Sequence, residues 1–295
     1  MSHAAAQPKL FHAPRYTALA ALDSDGTVFP NMPQKFKAVR DSVIEHWGLG
    51  PVADAAEDVI RFVNLDSAWR GSHRFPALLK MMRLLADRPE PAAAGVELPD
   101  LSPLARFVES GSPLSEHHLQ AVQLRTGSDA ITRVLAWSAD LSRRLRAQTE
   151  HLPPMDGARA ALERMRDRAD AAVVSQAPAV QLTREWKHSG LEAFVFAIAG
   201  SECGRKPDQI RALAGSRHAP SNTLVIGDAP GDLAAAREHG AHFFPIIPNR
   251  EEESWADLLS GPLDDFLSGR YGGEPEQARI RAFEAALPEI PPWAS

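Results

Sequence analysis

Short apolar runs that end in small or polar residues alternate with amphipathic stretches along much of the chain. The runs are Tyr16–Leu22, Ala171–Val174, Phe194–Ala199, Thr223–Ile226 and His242–Ile247. Helical spacing of apolar residues follows or separates the later runs, at Gly157–Arg168, Ala179–Ser189, Pro207–Ala214 and Asp232–His239. Strands that alternate with helices predict a parallel sheet with right-handed crossovers. Because the runs are largely apolar, we expect helices on both faces of the sheet.

The segment from Asn31 to Leu152 has a different pattern, with helical spacing and no convincing strand. Helices are predicted at Phe36–Trp47, Ala53–Val63, Pro76–Ala86, Ser115–Leu124 and Asp129–Ala147. A Pro/Ala-rich stretch from Arg88 to Pro103 predicts a surface loop between two helical groups. We therefore predict an α/β protein with a Rossmann-like parallel sheet, formed by residues 1–30 and 153–250 and interrupted by an all-helical domain at residues 31–152. Residues 251–295 are predicted to be a helical extension packed on the core.

Composition excludes several classes of function. The chain has 295 residues, of which 44% are hydrophobic, enough for a core and a second module. Its net charge of −6 provides no electrostatic surface for nucleic acid or an anionic membrane. No apolar segment has the length of a signal peptide or a membrane span. The single Cys203 fits a reducing compartment, so we expect a soluble, cytoplasmic protein.

The first apolar run ends in Asp23-Ser24-Asp25-Gly26-Thr27, which places two carboxylates at the tip of a predicted strand. Ligands of open α/β sheets bind beyond the carboxyl ends of the strands. One carboxylate can attack phosphorus, and a second can serve as general acid and base. Two anions that act on a phosphate need a cation, and Mg2+ prefers oxygen ligands of this kind. The alternative is an ordinary loop, because Asp-Gly turns are common.

Three further candidates follow later predicted strands. Ser175 precedes a helix and could bind a phosphate oxygen, although an ordinary N-cap serine would look the same. Lys206 could neutralise a nucleophile and a phosphoryl group, or could be a solvated surface residue. Asp228 and Asp232 lie in a Gly/Pro loop and could complete a Mg2+ site, or could be a turn residue and a helix cap. Since each follows a separate strand, all are expected to converge at one edge of the sheet.

Together these residues resemble the four motifs of the haloacid dehalogenase-like (HAD) superfamily, from about Tyr16 to Ile247. The resemblance implies that Asp23 is the nucleophile and a Mg2+ ligand, and that Asp25 is the acid/base and binds the metal through its backbone carbonyl. It also implies that Ser175 and Lys206 hold the phosphoryl group, with Asp228 and Asp232 as metal ligands and Asp228 preferred for direct coordination. We assign Thr27 and Gln176 to substrate binding.

The residues that vary within the superfamily favour cleavage of a small phosphorylated metabolite. Dehalogenases and phosphonate-cleaving members lack the acidic residue that this chain has at Asp25. Phosphomonoester hydrolysis through an aspartyl phosphate is therefore implied first, and phosphomutase or phosphotransferase activity second. Receiver domains also combine an acidic pocket with a hydroxyl and a lysine, but in another order along the chain. A catalytically idle binding protein of the same fold is a further alternative.

The helical insertion resembles an enlarged C1-type cap, and the stretch from Phe62 to Pro76 looks like one found in an uncharacterised bacterial subgroup. Arg70 and Arg74 in this stretch could bind a second anionic group of the substrate. The alternative is that Trp69 anchors a helix and the arginines are solvated. Trp137, Trp186 and Trp255 are interpreted as packing residues. The oligomeric state is not predicted.

Overall fold

The computed structural model describes residues 6–148 and 152–294, which divide into two compact units. One unit contains residues 6–31 and 152–287, and the other contains residues 32–148 and 288–294. Each has a hydrophobic core of its own. Within the described ranges, none of the helices combines the length and apolar character that crossing a lipid bilayer requires.

The first unit is built on a sheet whose described strands are ordered β1-β4-β3-β2-β5-β6. Their bounds are β1 Lys9–Leu10, β2 Leu19–Leu22, β3 Asp170–Val174, β4 Ala197–Ala199, β5 Thr223–Gly227 and β6 His242–Pro245. Strand β1 is antiparallel to β4, and the other pairs are parallel. Leu22 pairs with Val173 on one side and Ile226 on the other, so β2, β3 and β5 end at the same level.

Helices cover both faces of this sheet. They are α8 Asp156–Met165, α9 Ala179–His188, α10 Lys206–Ala214, α11 Pro230–His239, α12 Glu251–Ser260, α13 Pro262–Leu267 and α14 Gly273–Ala286. Alternate residues of β2 point to opposite faces, with Leu22 in the core formed with α8, α9, α12 and α13 and Ala21 in the core formed with α10, α11 and α14. The predicted α/β class is confirmed.

Strand β2 begins at Leu19, three residues later than the apolar run from Tyr16 predicts. The backbone amides of Arg15 and Tyr16 donate to the buried side-chain carboxylate of Asp170, at 2.9 Å each, and not to backbone carbonyls of a neighbouring strand. Regular pairing starts at Leu19, opposite Asp170 and Thr223. A side chain thus replaces the strand ladder at the amino end of β2.

The second unit is helical throughout its described elements. These are α1 Met32–Trp47, α2 Ala53–Asn64, α3 Arg74–Ala86, α4 Pro89–Ala93, α5 Ser102–Glu109, α6 Glu116–Thr126 and α7 Asp129–Ala147, with a short 3-10 turn at Gly50–Val52. Their apolar faces form one core, in which the indole N–H of Trp137 donates to Ser42 Oγ at 3.3 Å. Asp129–Ala147 has the predicted bounds.

One expectation needs correction, and two features of the structure had no counterpart in the sequence pattern. The segment predicted as a surface loop, Arg88 to Pro103, contains helix α4 and the start of α5. Prolines that suggested a break lie in the first turns of these helices, where their missing N–H groups cost nothing. The pattern gave no sign of strand β1. Residues 251–287 group with the sheet unit, and residues 288–294 group with the helical unit, where Trp293 stacks edge-on against Phe62.

Candidate active site

The loop that follows β2 turns sharply and brings Asp23 to the end of the sheet. The backbone N–H of Asp23 donates to Ile226 at 2.9 Å, which continues the pairing with β5. The chain then reverses at Gly26, whose φ of 73° lies in the left-handed region that favours glycine. Hydrogen bonds from Val28 and Phe29 back to the Ser24 carbonyl close the turn. The Asp-Gly sequence therefore lies in a tight loop that is largely buried.

Three carboxylates meet at this end of the sheet. Asp23, Asp228 and Asp232 are all buried, and each offers an oxygen within 4.8 Å of the others. Lys206 Nζ lies 2.8 Å from Asp23 Oδ2 and 2.5 Å from Asp232 Oδ1. The lysine compensates only part of the negative charge of the three carboxylates. A buried excess of carboxylate oxygen is the donor set that fits a hard divalent cation.

The electrostatics of the cluster reflect this excess. Burial raises the pKa of Asp23 to about 8, and Asp232 and Asp228 add to the increase while Lys206 opposes it. Burial likewise raises the pKa of Asp232. Burial opposes the charged form of Lys206, but attraction to Asp23 and Asp232 outweighs it and raises the lysine pKa. The ammonium therefore stays charged, and Asp23 and Asp232 need more positive charge nearby to ionise fully.

Hydrogen bonds from a threonine hydroxyl and from a backbone N–H fix two of these carboxylates. Thr27 Oγ1 donates to Asp228 Oδ1 at 2.8 Å, so this buried hydroxyl, assigned to substrate binding from the sequence, contacts the acidic cluster. Asp232 Oδ2 accepts from the backbone N–H of Ala229 at 3.0 Å. A Cβ on Gly227 would lie 2.3 Å from Asp232 Cγ, so the carboxylate occupies the space that a side chain would need.

Ser175 and Gln176 lie at the end of the neighbouring strand β3. Ser175 is buried, and its hydroxyl accepts from the backbone N–H of Ala177 at 3.1 Å. Helix α9 starts after Pro178, which occupies the N-cap position, so the alternative of an ordinary N-cap serine is wrong. Gln176 is exposed, and its amide donates to the Gly204 carbonyl at 3.2 Å.

Asp25 is partly buried and lies outside the three-carboxylate group. Its Oδ1 accepts from Asn31 Nδ2 at 2.6 Å, which fixes the orientation of the carboxylate. The sequence gave no indication of Asn31, because a single asparagine near a predicted domain boundary has no distinctive pattern. The hydrogen bond leaves Asp25 as a separately oriented carboxylate beside Asp23.

Three buried residues that the sequence analysis did not assign to the site hold its loops in place. Gln209 Nε2 lies 3.0 Å from each of the carbonyls of Ser175, Gly200 and Gly204. The indole N–H of Trp186 donates to Ser24 Oγ, and that of Trp255 donates to the Thr27 carbonyl, both at 3.0 Å. A glutamine among the apolar residues of the buried face of α10 was the one sequence feature that could have indicated a polar role for Gln209. The two tryptophans pack, as predicted, but also donate hydrogen bonds.

Arg70 and Arg74 belong to the helical unit and make hydrogen bonds inside it. The buried Arg70 donates to the Leu65 carbonyl at 3.0 Å. Arg74 donates to the Ser138 carbonyl at 2.9 Å and to Ser142 Oγ at 2.7 Å. These contacts show what both guanidinium groups do within their own unit, where they tie helices and turns together.

The acidic residues at the ends of β2 and β5 and the lysine beside them all lie within a segment that matches a known family. The family model for haloacid dehalogenase-like hydrolases matches residues 17–240. The chain therefore belongs to the haloacid dehalogenase-like hydrolases. The match ends before helices α12 to α14.

Solved structures support the same fold. A candidate haloacid dehalogenase-like hydrolase from Bacteroides fragilis is 13% identical, with a TM-score of 0.51 over 81% of this chain and 93% of that chain. A predicted phosphoglycolate phosphatase from Haemophilus somnus is 14% identical, with a TM-score of 0.50 over 83% of this chain and 97% of that chain. No curated protein sequence matches the chain significantly. At these identities the similarity concerns the fold alone.

Proposed function

We propose that this hydrolase is a Mg2+-dependent phosphatase that cleaves a small phosphomonoester through an aspartyl phosphate at Asp23. The observation that carries the proposal is the buried group of Asp23, Asp228 and Asp232 paired with Lys206. It combines a nucleophile, an excess of carboxylate oxygen and a fixed ammonium at the carboxyl ends of parallel strands. Membership of the hydrolase family is consistent with this chemistry.

The donor set of the cluster fits Mg2+. Asp23, Asp228 and Asp232, with the backbone carbonyl of Asp25, would hold the ion. When bound, the ion supplies the positive charge that lets the Asp23 carboxylate and a phosphate approach each other. The high pKa of Asp23 in the protein alone agrees with this need, because extra positive charge favours the ionised nucleophile.

In the proposed reaction, Asp23 and Asp25 act in two successive steps. An Asp23 oxygen attacks phosphorus in line, and the P–O bond to the leaving alcohol breaks while Asp25 gives that oxygen a proton. Asp25 then takes a proton from a water molecule whose oxygen attacks the aspartyl phosphate. The P–O bond to Asp23 breaks, and phosphate and the free carboxylate result. Asn31 keeps the Asp25 carboxylate oriented through both proton transfers.

Lys206 and Ser175 are proposed to hold the non-bridging oxygens, on which charge is spread in the transition state. Gln176, exposed beside Ser175, is proposed to contact the substrate. Thr27 has a different proposed role from the one assigned by sequence, because its hydroxyl supports Asp228. In this proposal the helical unit is an enlarged C1-type cap that selects a small phosphorylated metabolite in the cytoplasm. Arg70 and Arg74 are its candidate anion-binding residues.

The same residues would serve a phosphomutase, in which a second substrate hydroxyl replaces water and Asp25 deprotonates it. The catalytically idle binding protein is less well supported, since the chain keeps the nucleophile, the acid/base and the lysine in one site. Product analysis separates these possibilities, because a phosphatase releases inorganic phosphate and a mutase releases an isomer.

The test is a panel of sugar phosphates, nucleotides, phospho-acids and p-nitrophenyl phosphate, assayed with Mg2+ and with EDTA. We expect turnover that requires Mg2+ and falls by at least about a thousandfold in Asp23→Asn, because the covalent step is lost. Asp167→Asn, an exposed aspartate of the same unit, is the matched control and should keep full activity. Normal turnover by a folded Asp23→Asn would refute the nucleophile assignment.

Metal binding has an independent readout. We expect Mg2+ to raise the melting temperature of the wild-type protein, because a ligand of the folded state stabilises it by about 2.7 kcal/mol at a hundredfold excess over Kd. Asp228→Asn keeps an oxygen that can accept from Thr27 but loses the charge, so the shift should shrink. An equal shift in both proteins would place the metal elsewhere.

A further inference from the structure

Helix α12 follows the region that matches the family model, yet it contacts the loop that carries Asp23 and Asp25. The match ends at residue 240, and α12 spans Glu251–Ser260. Its residue Trp255 is fully buried, and the indole N–H donates to the backbone carbonyl of Thr27 at 3.0 Å. This bond joins residues 228 positions apart. The C-terminal region therefore contributes directly to the environment of the nucleophile loop.

The contact continues from Thr27 to the acidic cluster. The Thr27 carbonyl accepts from Trp255, and the hydroxyl of the same residue donates to Asp228 Oδ1 at 2.8 Å. Thr27 is fully buried, so both of its polar groups rely on these partners in a region of low dielectric. A shift of the Thr27 backbone would move the hydroxyl away from Asp228. Trp255 is thus one residue removed from a proposed metal ligand.

The helix is fitted to this position by other residues. A Cβ on Gly157 of α8 would lie 2.3 Å from Trp255 Cβ, so only glycine allows the two helices to approach this closely. Ser254 Oγ accepts from the backbone N–H of Ile247 at 3.0 Å, just after β6. Arg164 of α8 donates to the Leu259 carbonyl at 2.9 Å. Together these contacts hold Trp255 against the loop after β2.

We propose that Trp255 is a positioning residue of the active site, which acts through Thr27 to hold Asp228 and the Asp23 loop in their working geometry. This inference rests on the proposed phosphatase function. It makes α12 a part of the catalytic structure of this protein, although the helix lies outside the family match. Loss of a partner that orients a metal ligand costs about tenfold to a hundredfold in activity or metal affinity.

The principal variant is Trp255→Phe, which removes the indole N–H and keeps an aromatic ring. Tyr271→Phe is the matched control, because its buried hydroxyl also donates from the C-terminal region to a backbone carbonyl, that of Phe243, at 3.0 Å. Both variants lose one buried hydrogen bond, but only Trp255→Phe loses a bond to the nucleophile loop. Circular dichroism and thermal melting establish that both are folded.

Three measurements compare the two variants. We expect Trp255→Phe to speed amide hydrogen exchange at residues 23–29, to lower kcat by about tenfold with little change in KM, and to weaken Mg2+ binding in calorimetry. Tyr271→Phe should leave all three at wild-type values. Equal exchange at residues 23–29 and equal kcat in the two variants would overturn the proposal.

A double-mutant cycle tests the route through Thr27. Thr27→Val removes the hydroxyl that donates to Asp228, so Trp255→Phe should add little to its effect on kcat and on Mg2+ affinity. Fully additive effects would refute action through Thr27.

If Trp255→Phe does not fold, Gly157→Ala keeps the indole but displaces it, and the same exchange and binding measurements apply. Should the wild type hydrolyse no phosphoester, the proposed function fails, while hydrogen exchange still judges the role of Trp255.

Discussion

At Gly227, the last residue of β5, the backbone lies against the carboxylate of Asp232. The side chain of Asp232 bonds the Ala229 N–H and pairs with Lys206, which in turn pairs with Asp23. A side chain at position 227 would therefore disturb a chain of contacts that ends at Asp23. Residue size at one position limits how closely two carboxylates and an ammonium can assemble.

We predict that Gly227→Ala lowers both stability and turnover. Its Cβ would overlap the Asp232 carboxylate at 2.3 Å, and overpacking of this kind costs about 1–3 kcal/mol. Displacement of Asp232 also moves Lys206, so kcat should fall more than KM rises. Thermal melting and steady-state kinetics are the measurements.

Gly231→Ala is the control for this substitution. Gly231 lies four residues later, in the first turn of α11, and a Cβ there meets nothing within 4 Å. Alanine in place of glycine in a helix should leave stability unchanged or raise it by about 0.5–1 kcal/mol. Equal losses in both variants would show that the loop, and not the close approach to Asp232, is sensitive.

At the scale of whole elements, the positions of the strands were the features that the sequence predicted best. The strand ends at Leu22 and Val174 followed from apolar runs that stop at Asp or Ser, and β5 ends at Gly227, one residue after its predicted run. Parallel pairing then brings these ends to one level, which is why Asp23 and Asp228 meet. The sequence thus predicted the fold class, and it pointed to the four side chains that meet at this edge, Asp23, Lys206, Asp228 and Asp232.

Other parts of the site could not be predicted because they depend on contacts between distant residues. The bonds from Trp186 and Trp255 to the loop after β2 leave no periodic signal, since an indole that packs and one that also donates have the same pattern. Gln209 was missed for a similar reason, because its three backbone partners lie on separate loops. The sequence pattern does not indicate helix α4, because the prolines in its first turn are equally typical of a helix break.

Asp170 at the start of β3 provides a prediction at this scale. Its buried carboxylate accepts from the backbone of Arg15 and Tyr16 and from His218 Nε2 at 3.0 Å. Asp170→Asn replaces an acceptor oxygen with a donor and leaves at least one of these groups unsatisfied. We expect the free energy of unfolding to fall by about 3 kcal/mol, measured by urea denaturation.

Turnover of Asp170→Asn should remain within about twofold of wild type. Asp170 begins β3 and Ser175 follows its last residue, so the two are about 16 Å apart at the usual rise of a strand. Asp167→Asn, which changes an exposed aspartate of the preceding turn, should alter stability by no more than about 0.5 kcal/mol. A large loss of kcat in a stable Asp170→Asn would contradict this separation of structural and catalytic ends.

At the scale of the molecule, the chain crosses between its two units more than once. Residues 32–148 form the helical unit, and residues 288–294 return to it after the last helix of the sheet unit. Within the helical unit, the Trp293 ring lies 5.5 Å from that of Phe62 and 5.1 Å from the guanidinium of Arg88. The end of the chain is therefore part of the helical unit's packing.

We predict that Trp293→Ala loosens the helical unit and leaves the sheet unit unchanged. Loss of the aromatic and cation–π contacts should destabilise the region around α2 and Arg88 by about 1–2 kcal/mol. Amide hydrogen exchange should rise there and not in β2, β3 or β5. Ile290→Ala, a change at an exposed residue of the same segment, is the control and should alter neither region.

Strand β1 has a consequence for how copies of this protein behave in solution. It pairs Lys9 with Ile198 and Leu10 with Ala197, and Phe11 continues the contact by donating to Phe196 at 2.8 Å. Without these residues β4 would become an open edge, and unpaired backbone groups at an edge are a template for strands of another molecule. A chain that starts after residue 15 should therefore self-associate through β4, which sedimentation velocity would detect. We therefore interpret the segment around β1 as a cover that keeps β4 from pairing with another molecule of the same protein.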